Sequence, residues 1–179
     1  MANLLATTPL GYVRPLTAAQ TSLAQMDWVQ ITSIAPYTGR LAQVSADLGT
    51  LGLRFPAPNR FEVAGEARLA YAGRDLAFLM GAPCPDLGDA AATTDQSDAW
   101  ARLSLTGPAA AQVLARYVPI DLRLSALPVR ASIRSQLYHV PLCLMRLDAE
   151  TFEVLVFRSM AQTAWHELAS ALRAIAARG

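Results

Sequence analysis

Two histidines, two cysteines, a short Asp-x-Ser pair, three tryptophans and a set of strand-borne arginines are the side chains of this chain that could do chemistry. His139 sits between Tyr138 and Val140, just before Pro141, where an imidazole could serve as a base. No carboxylate lies between Asp121 and Asp148 to orient it, and no serine or cysteine stands in a nucleophile motif. A turn histidine is therefore the better reading. His166 falls on the polar face of a helical pattern and has less claim to catalysis. Cys143 lies in an apolar strand-like run, where a thiol packs as a small hydrophobe and its pKa rises. Asp95 and Ser97 have the spacing of a local turn in which each side chain caps a backbone donor. Trp28, Trp100 and Trp165 could wall a flat heterocycle, but aromatics at strand or helix spacing more often fill a core or anchor an interface. Arg134, Arg146 and Arg158 could meet carboxylates of a partner or of an anionic ligand. The residues by themselves thus give no catalytic, cofactor-binding or metal site.

Several function classes are excluded by composition. All fifteen basic residues are arginine. A chain without lysine can form neither a Schiff base nor a Walker-type phosphate loop. The net charge is +1 and the arginines are scattered, which argues against nucleic acid as a partner. Cys84 and Cys143 form no CxxC pattern, so zinc is not expected. Hydrophobic residues reach 53% and charged ones only 16%, against roughly 45–50% and about 25% in ordinary soluble domains. No apolar run is long enough to span a bilayer, so the excess points to a protein partner, or in isolation to a homo-oligomer hiding the same surface. The start Met1-Ala2-Asn3-Leu4-Leu5 lacks the pattern of a secretory signal, which predicts reduced cysteines and a cytoplasmic setting.

The elements that must position these residues read as one compact folding unit. Residues 1–27, broken by Pro9, Gly11 and Pro15, predict an extended N-terminal arm lying along a partner. Residues 28–80 form a first α+β lobe: a strand over Trp28–Ile34, a helix with Tyr37, Leu41, Val44 and Leu48 on one face and Gly49 as its stop, then a hairpin turning at Gly73-Arg74-Asp75. Residues 81–94 are small and Pro/Gly-rich and predict a linker loop. Residues 95–179 form the second lobe. It begins with a strand over Trp100–Leu105 and a helix opened by Gly107-Pro108, with Ala110, Val113, Leu114 and Tyr117 on its apolar face and Pro119 ending it. Strands over Ser132–Tyr138, Leu142–Leu147 and Phe152–Phe157 follow, and their near-continuous apolarity predicts two covered faces. Ser159-x-x-Gln162 reads as a capping box for a last amphipathic helix bearing Met160, Ala164, Trp165, Leu168, Leu172 and Ile175. The fold class is α+β, a duplication of shape with two ferredoxin-like βαββ-type halves.

The frame Asp95-x-Ser97, Trp100, Leu103, Leu105, Gly107-Pro108, Leu114 and Pro119-Ile120-Asp121, followed by Phe157-Arg158-Ser159 and the helix start up to Trp165, resembles the gamma subunit of heterotetrameric sarcosine oxidase. That family is related to the aminomethyltransferase (glycine-cleavage T-protein) folate-binding fold. The resemblance runs from about residue 28 to 176 and departs from the gamma pattern at Tyr71–Asp75, where a tryptophan and a Gly-Pro turn are usual. It implies a folate-binding type of fold and a non-catalytic subunit docked on larger flavoprotein subunits. The complex would use FAD, FMN and NAD to oxidise sarcosine and pass the one-carbon unit to tetrahydrofolate, with none of these held by this chain. The glycine pair and paired aspartates of active aminomethyltransferases are replaced by Tyr138–Arg146, so no catalytic residue carries over. The rival reading is a free-standing folate-binding or aminomethyl-transferring homodimer.

Overall fold

A computed structural model describes residues 7–178. The described chain runs β1 (Leu16–Ala18), β2 (Thr21–Gln25), β3 (Ile31–Pro36), α1 (Leu41–Asp47), β4 (Phe61–Ala64), β5 (Ala67–Gly73), β6 (Leu76–Met80) and β7 (Ala91–Asp95). It continues through β8 (Trp100–Thr106), α2 (Ala110–Leu114), β9 (Ser132–Leu137), β10 (Val140–Asp148), β11 (Thr151–Phe157) and α3 (Ala161–Ala176). Two antiparallel sheets result, one ordered β4-β5-β6-β3-β7 and the other β1-β2-β8-β11-β10-β9.

The alternation of side chains along each strand dictates the layering. On β10 and β11, Leu142, Leu144, Phe152, Val154 and Val156 face α2 and α3. Their neighbours Cys143, Met145 and Leu155 face the other sheet, where they meet Phe61, Ala70, Phe78 and Met80. Both faces of these strands are covered, which is why they are apolar at nearly every position. On the far side, Ile34, Leu69 and Leu79 pack under Val44 and Leu48 of the α1 region. The order is thus helix, sheet, sheet, helices. Full burial of each Leu, Ile or Phe contributes about 1.5–3 kcal/mol, so the three cores hold the layers without disulfides; both cysteines are free.

The expected duplication is visible in topology. The run β3-α1-β4-β5-β6 gives the order β3-β6-β5-β4, and β8-α2-β9-β10-β11 gives β8-β11-β10-β9. Each half is therefore a βαβββ unit, one strand more than the βαββ expected. Each half also carries an addition beside its first strand: β7 beside β3, and the β1–β2 hairpin beside β8.

Several expectations are corrected. Residues 16–25 do not run as an arm but form that hairpin; residues 1–6, the start of the expected arm, lie outside the described residues. The segment 81–94 is not all linker, because Ala91–Thr94 lies in β7. The strand predicted from Trp28 begins at Ile31, leaving Trp28 66% exposed. Tyr37 and Leu41 are exposed instead of facing the core, since α1 starts only at Leu41 and is seven residues long. The helix after Gly107-Pro108 is a single short turn, with Tyr117 beyond its end and half-buried. No capping box forms at Ser159: a 3-10 turn over Arg158–Met160 leads into α3, whose N-cap is Met160 without a side-chain cap. Its stripe of Ala164, Leu168 and Leu172 is buried as the spacing predicts, while Met160 stays exposed.

Candidate functional site

Two crossovers connect the sheets, Met26–Gln30 between β2 and β3 and Gln96–Ala99 between β7 and β8. Where they run side by side they frame a groove of about 660 Å³. Its walls include Met26, Trp28, Val29, Trp100, Arg102 and Arg158, with Thr7–Pro9 along one rim. This largely apolar concavity lies where candidate residues converge.

The Asp95–Ser97 pair shapes one wall. The Asp95 carboxylate accepts from the Ser97 N–H at 2.9 Å and from its hydroxyl at 2.5 Å. Ser97 Oγ in turn accepts the Ile31 N–H at 3.0 Å. These bonds favour the charged carboxylate, the hydroxyl's most of all, and hold the Asp95 pKa below the ordinary range. The Asp95 half is the local turn expected from the sequence, whereas the Ser97 hydroxyl makes a long-range clasp that ties the second crossover to the start of β3.

Trp100 forms the floor. It is 6% exposed, stacks on Phe157 at 4.7 Å, meets Phe78 at 5.2 Å and lies beneath the Arg134 guanidinium at 5.2 Å. Its indole Nε1 is buried with no partner among the described residues. Trp28 stands at the rim and Trp165 packs on the helical core away from the groove, so the three tryptophans do not form one wall.

Arg102 enters the groove from a network that sequence reasoning missed. Glu153, fully buried between the sheets, accepts from Arg102 Nε at 2.6 Å and from Arg68 of the opposite sheet. Arg102 also donates to the Asp27 carbonyl at 2.9 Å. One carboxylate thus pins both sheets and the first crossover. The signal was present: Glu153 sits one position from Phe152 and Val154 in a strand, and alternation places it on the Leu155 face. Of the three arginines singled out, Arg158 donates to the Thr7 carbonyl at the rim. Arg134 is exposed. Arg146 is not available to any partner: buried over Phe152, it donates to the Leu127 and Ala149 carbonyls at 2.6 and 3.1 Å, and burial lowers its pKa.

The remaining candidates are scattered. His139 lies exposed in the β9–β10 turn against Tyr138, and His166 is exposed on α3. Cys143 is buried between the sheets, and burial pushes its thiol up to about 11, with only partial relief from Ser132 Oγ at 3.7 Å. Among the described residues no three His, Cys, Asp or Glu side chains gather as metal ligands, and no helix is long and apolar enough to cross a membrane. The groove offers apolar area and fixed main-chain geometry, not an acid–base pair.

No family model matches this sequence, and no curated protein does. Among solved structures, a chain of the heterotetrameric sarcosine oxidase from Corynebacterium sp. U-96, in complex with pyrrole 2-carboxylate, superposes with a TM-score of 0.78 at 22% identity. The match covers 87% of this chain and 85% of that one. Aspartate kinase from Clostridium acetobutylicum, at a TM-score of 0.40 and 11% identity, covers 87% of this chain but 35% of its own, and carries no argument. What the comparison establishes is a shared α+β fold of two antiparallel sheets, matched nearly end to end with one chain of a multi-subunit oxidase.

Proposed function

We propose that this chain is a non-catalytic, gamma-type subunit of a heterotetrameric sarcosine oxidase-like complex, docking on and stabilising larger flavoprotein subunits. The observation that carries the reading is the near end-to-end likeness to a chain of such a complex. Large apolar side chains left in water, among them Tyr12 at 90% and Trp28 at 66% exposure, support a protein partner. In this reading the fold is that of the aminomethyltransferase-like folate-binding relatives, and the work is done in the cytoplasm.

FAD, FMN and NAD belong on the larger subunits, which would oxidise sarcosine and pass its one-carbon unit to tetrahydrofolate. The residues of the groove do not fit tetrahydrofolate. Arg102 is engaged by Glu153 and the Asp27 carbonyl, Arg158 by Thr7, and Asp95 and Ser97 by each other. Among the described residues no unengaged cation lines the groove for a glutamate tail. On this reading the chain's contribution is structural.

The test is to express the tagged chain in its native host, identify what co-purifies by mass spectrometry, and record the flavin absorbance. Larger flavin-bearing subunits are expected in about stoichiometric amount, as for an obligate interface. A chain recovered alone, soluble and colourless would overturn the reading and turn attention to folate titration.

A further inference from the structure

Sheet edges are where chains recruit one another, because unpaired N–H and C=O groups template a further strand. Three of the four edges here are managed. β4 approaches β9 through the Arg60–Ala131 bridge, with Phe61 N donating to the Arg130 carbonyl at 3.0 Å. β1 is only three residues long. β9 carries the exposed Arg134 and Gln136.

Along its centre β7 has none of these devices, its one charge being the terminal Asp95. Its five residues, Ala-Ala-Thr-Thr-Asp, pair with β3 without a bulge. Tyr37 N donates to the Ala90 carbonyl and Gln96 N to the Ile31 carbonyl. Antiparallel alternation then turns the groups of Ala92 and Thr94 toward β3 and those of Ala91, Thr93 and Asp95 outward. No strand lies on that outer side among the described residues. Ala92, Thr93 and Thr94 are all exposed, and none carries a charge to repel an incoming strand.

The flanks carry charge of one sign. Asp86 and Asp89 precede the strand, and Asp95 and Asp98 end or follow it, all exposed. Among the described residues only Asp89 has a cation, Arg40 at 3.4 Å. An antiparallel second copy would set Asp95 and Asp98 of one chain beside Asp89 and Asp86 of the other, which like charge disfavours. A five-residue strand pair also falls short of the area a stable dimer buries.

We infer that the β7 edge is a docking site for an extended segment of a partner chain, small or β-branched at its centre and flanked by arginine or lysine, which adds as a sixth strand to the β4–β7 sheet. The inference deepens the proposed subunit role by naming where and how a larger subunit engages.

Thr93→Pro is the decisive variant. Its lost N–H points outward, so the β3 ladder and the fold survive while the edge is blocked. With the tagged full chain, unchanged thermal unfolding and a drop of about tenfold in recovered larger subunits are expected. In the purified wild-type complex, the Thr93 and Asp95 amides should exchange more slowly than in the free chain. Equal recovery by Thr93→Pro, or unslowed exchange in an intact complex, overturns the inference and leaves the subunit role standing. If no larger subunit is recovered even by wild type, the subunit role falls, and the edge is read with the peptide acetyl-Arg-Thr-Val-Thr-Val-Arg-amide. Slowing of the Thr93 amide by this peptide, and not by its Glu-ended counterpart, supports the edge; no slowing sinks it. A free chain that dimerises and becomes monomeric as Thr93→Pro identifies a second copy as the occupant and overturns the basic partner.

Discussion

Glu153 shows how one residue can decide the relation between two layers. A carboxylate with no exposure is stable only because Arg102 and Arg68 both meet it. Glu153→Ala leaves those two guanidinium groups facing each other in a desolvated gap, and should lower unfolding free energy by about 3–5 kcal/mol in urea titration. A loss within about 1 kcal/mol would mean that the apolar contacts alone align the sheets. Cys143 makes a second residue-scale case. Its folded pKa of about 11 lies above the ordinary thiol value of 9.0 because burial penalises the thiolate. The fold therefore favours the protonated form. That contribution is complete below pH 9 and fades as pH rises toward 11. The stability difference between the natural chain and Cys143→Ala should shrink over this window and stay flat from pH 6 to 8; a flat difference throughout would contradict the burial.

Among the elements, the β1–β2 hairpin was the least legible and is the most revealing. Its two-residue turn places Ala19 at φ +46° and Gln20 at φ +54°, positions where Asn and Gly are the usual signals. Tertiary contact explains why the turn forms without them. Gly107, at φ +129°, has backbone so close that an added Cβ would lie 2.3 Å from the Gln20 carbonyl oxygen, and Thr21 Oγ accepts the Ala109 N–H at 2.9 Å. Gly107→Ala should accordingly cost about 2 kcal/mol or more, seen as a lower denaturation midpoint with an unchanged slope. The sequence reading placed Gly107 at a helix start, yet the demand on it comes from residues more than eighty positions earlier. By contrast, β8, β10, β11 and α3 were plain in the sequence, because two covered faces or a long helical stripe leave a dense apolar pattern. β7 was hidden since Ala91–Thr94 carries neither a β-branched core face nor alternation. The groove was equally hidden: the Asp95–Ser97 turn was readable, but its bond to Ile31 and the placing of Trp28 and Trp100 on one groove arise only when the two crossovers run together.

For the molecule as a whole, the two βαβββ units are equivalent in strand order but differ in how each is finished. One receives a hairpin beside its first strand and the other a single strand, β7, with an open outer side. In assembly terms this difference sets valence. A body with two open edges can add copies at both ends and grow into a ribbon; one whose second end is closed by a three-residue strand accepts a single addition and stops. If the β7 edge is the docking site inferred above, the β1–β2 hairpin acts as a terminator and leaves the duplicated architecture with a single socket.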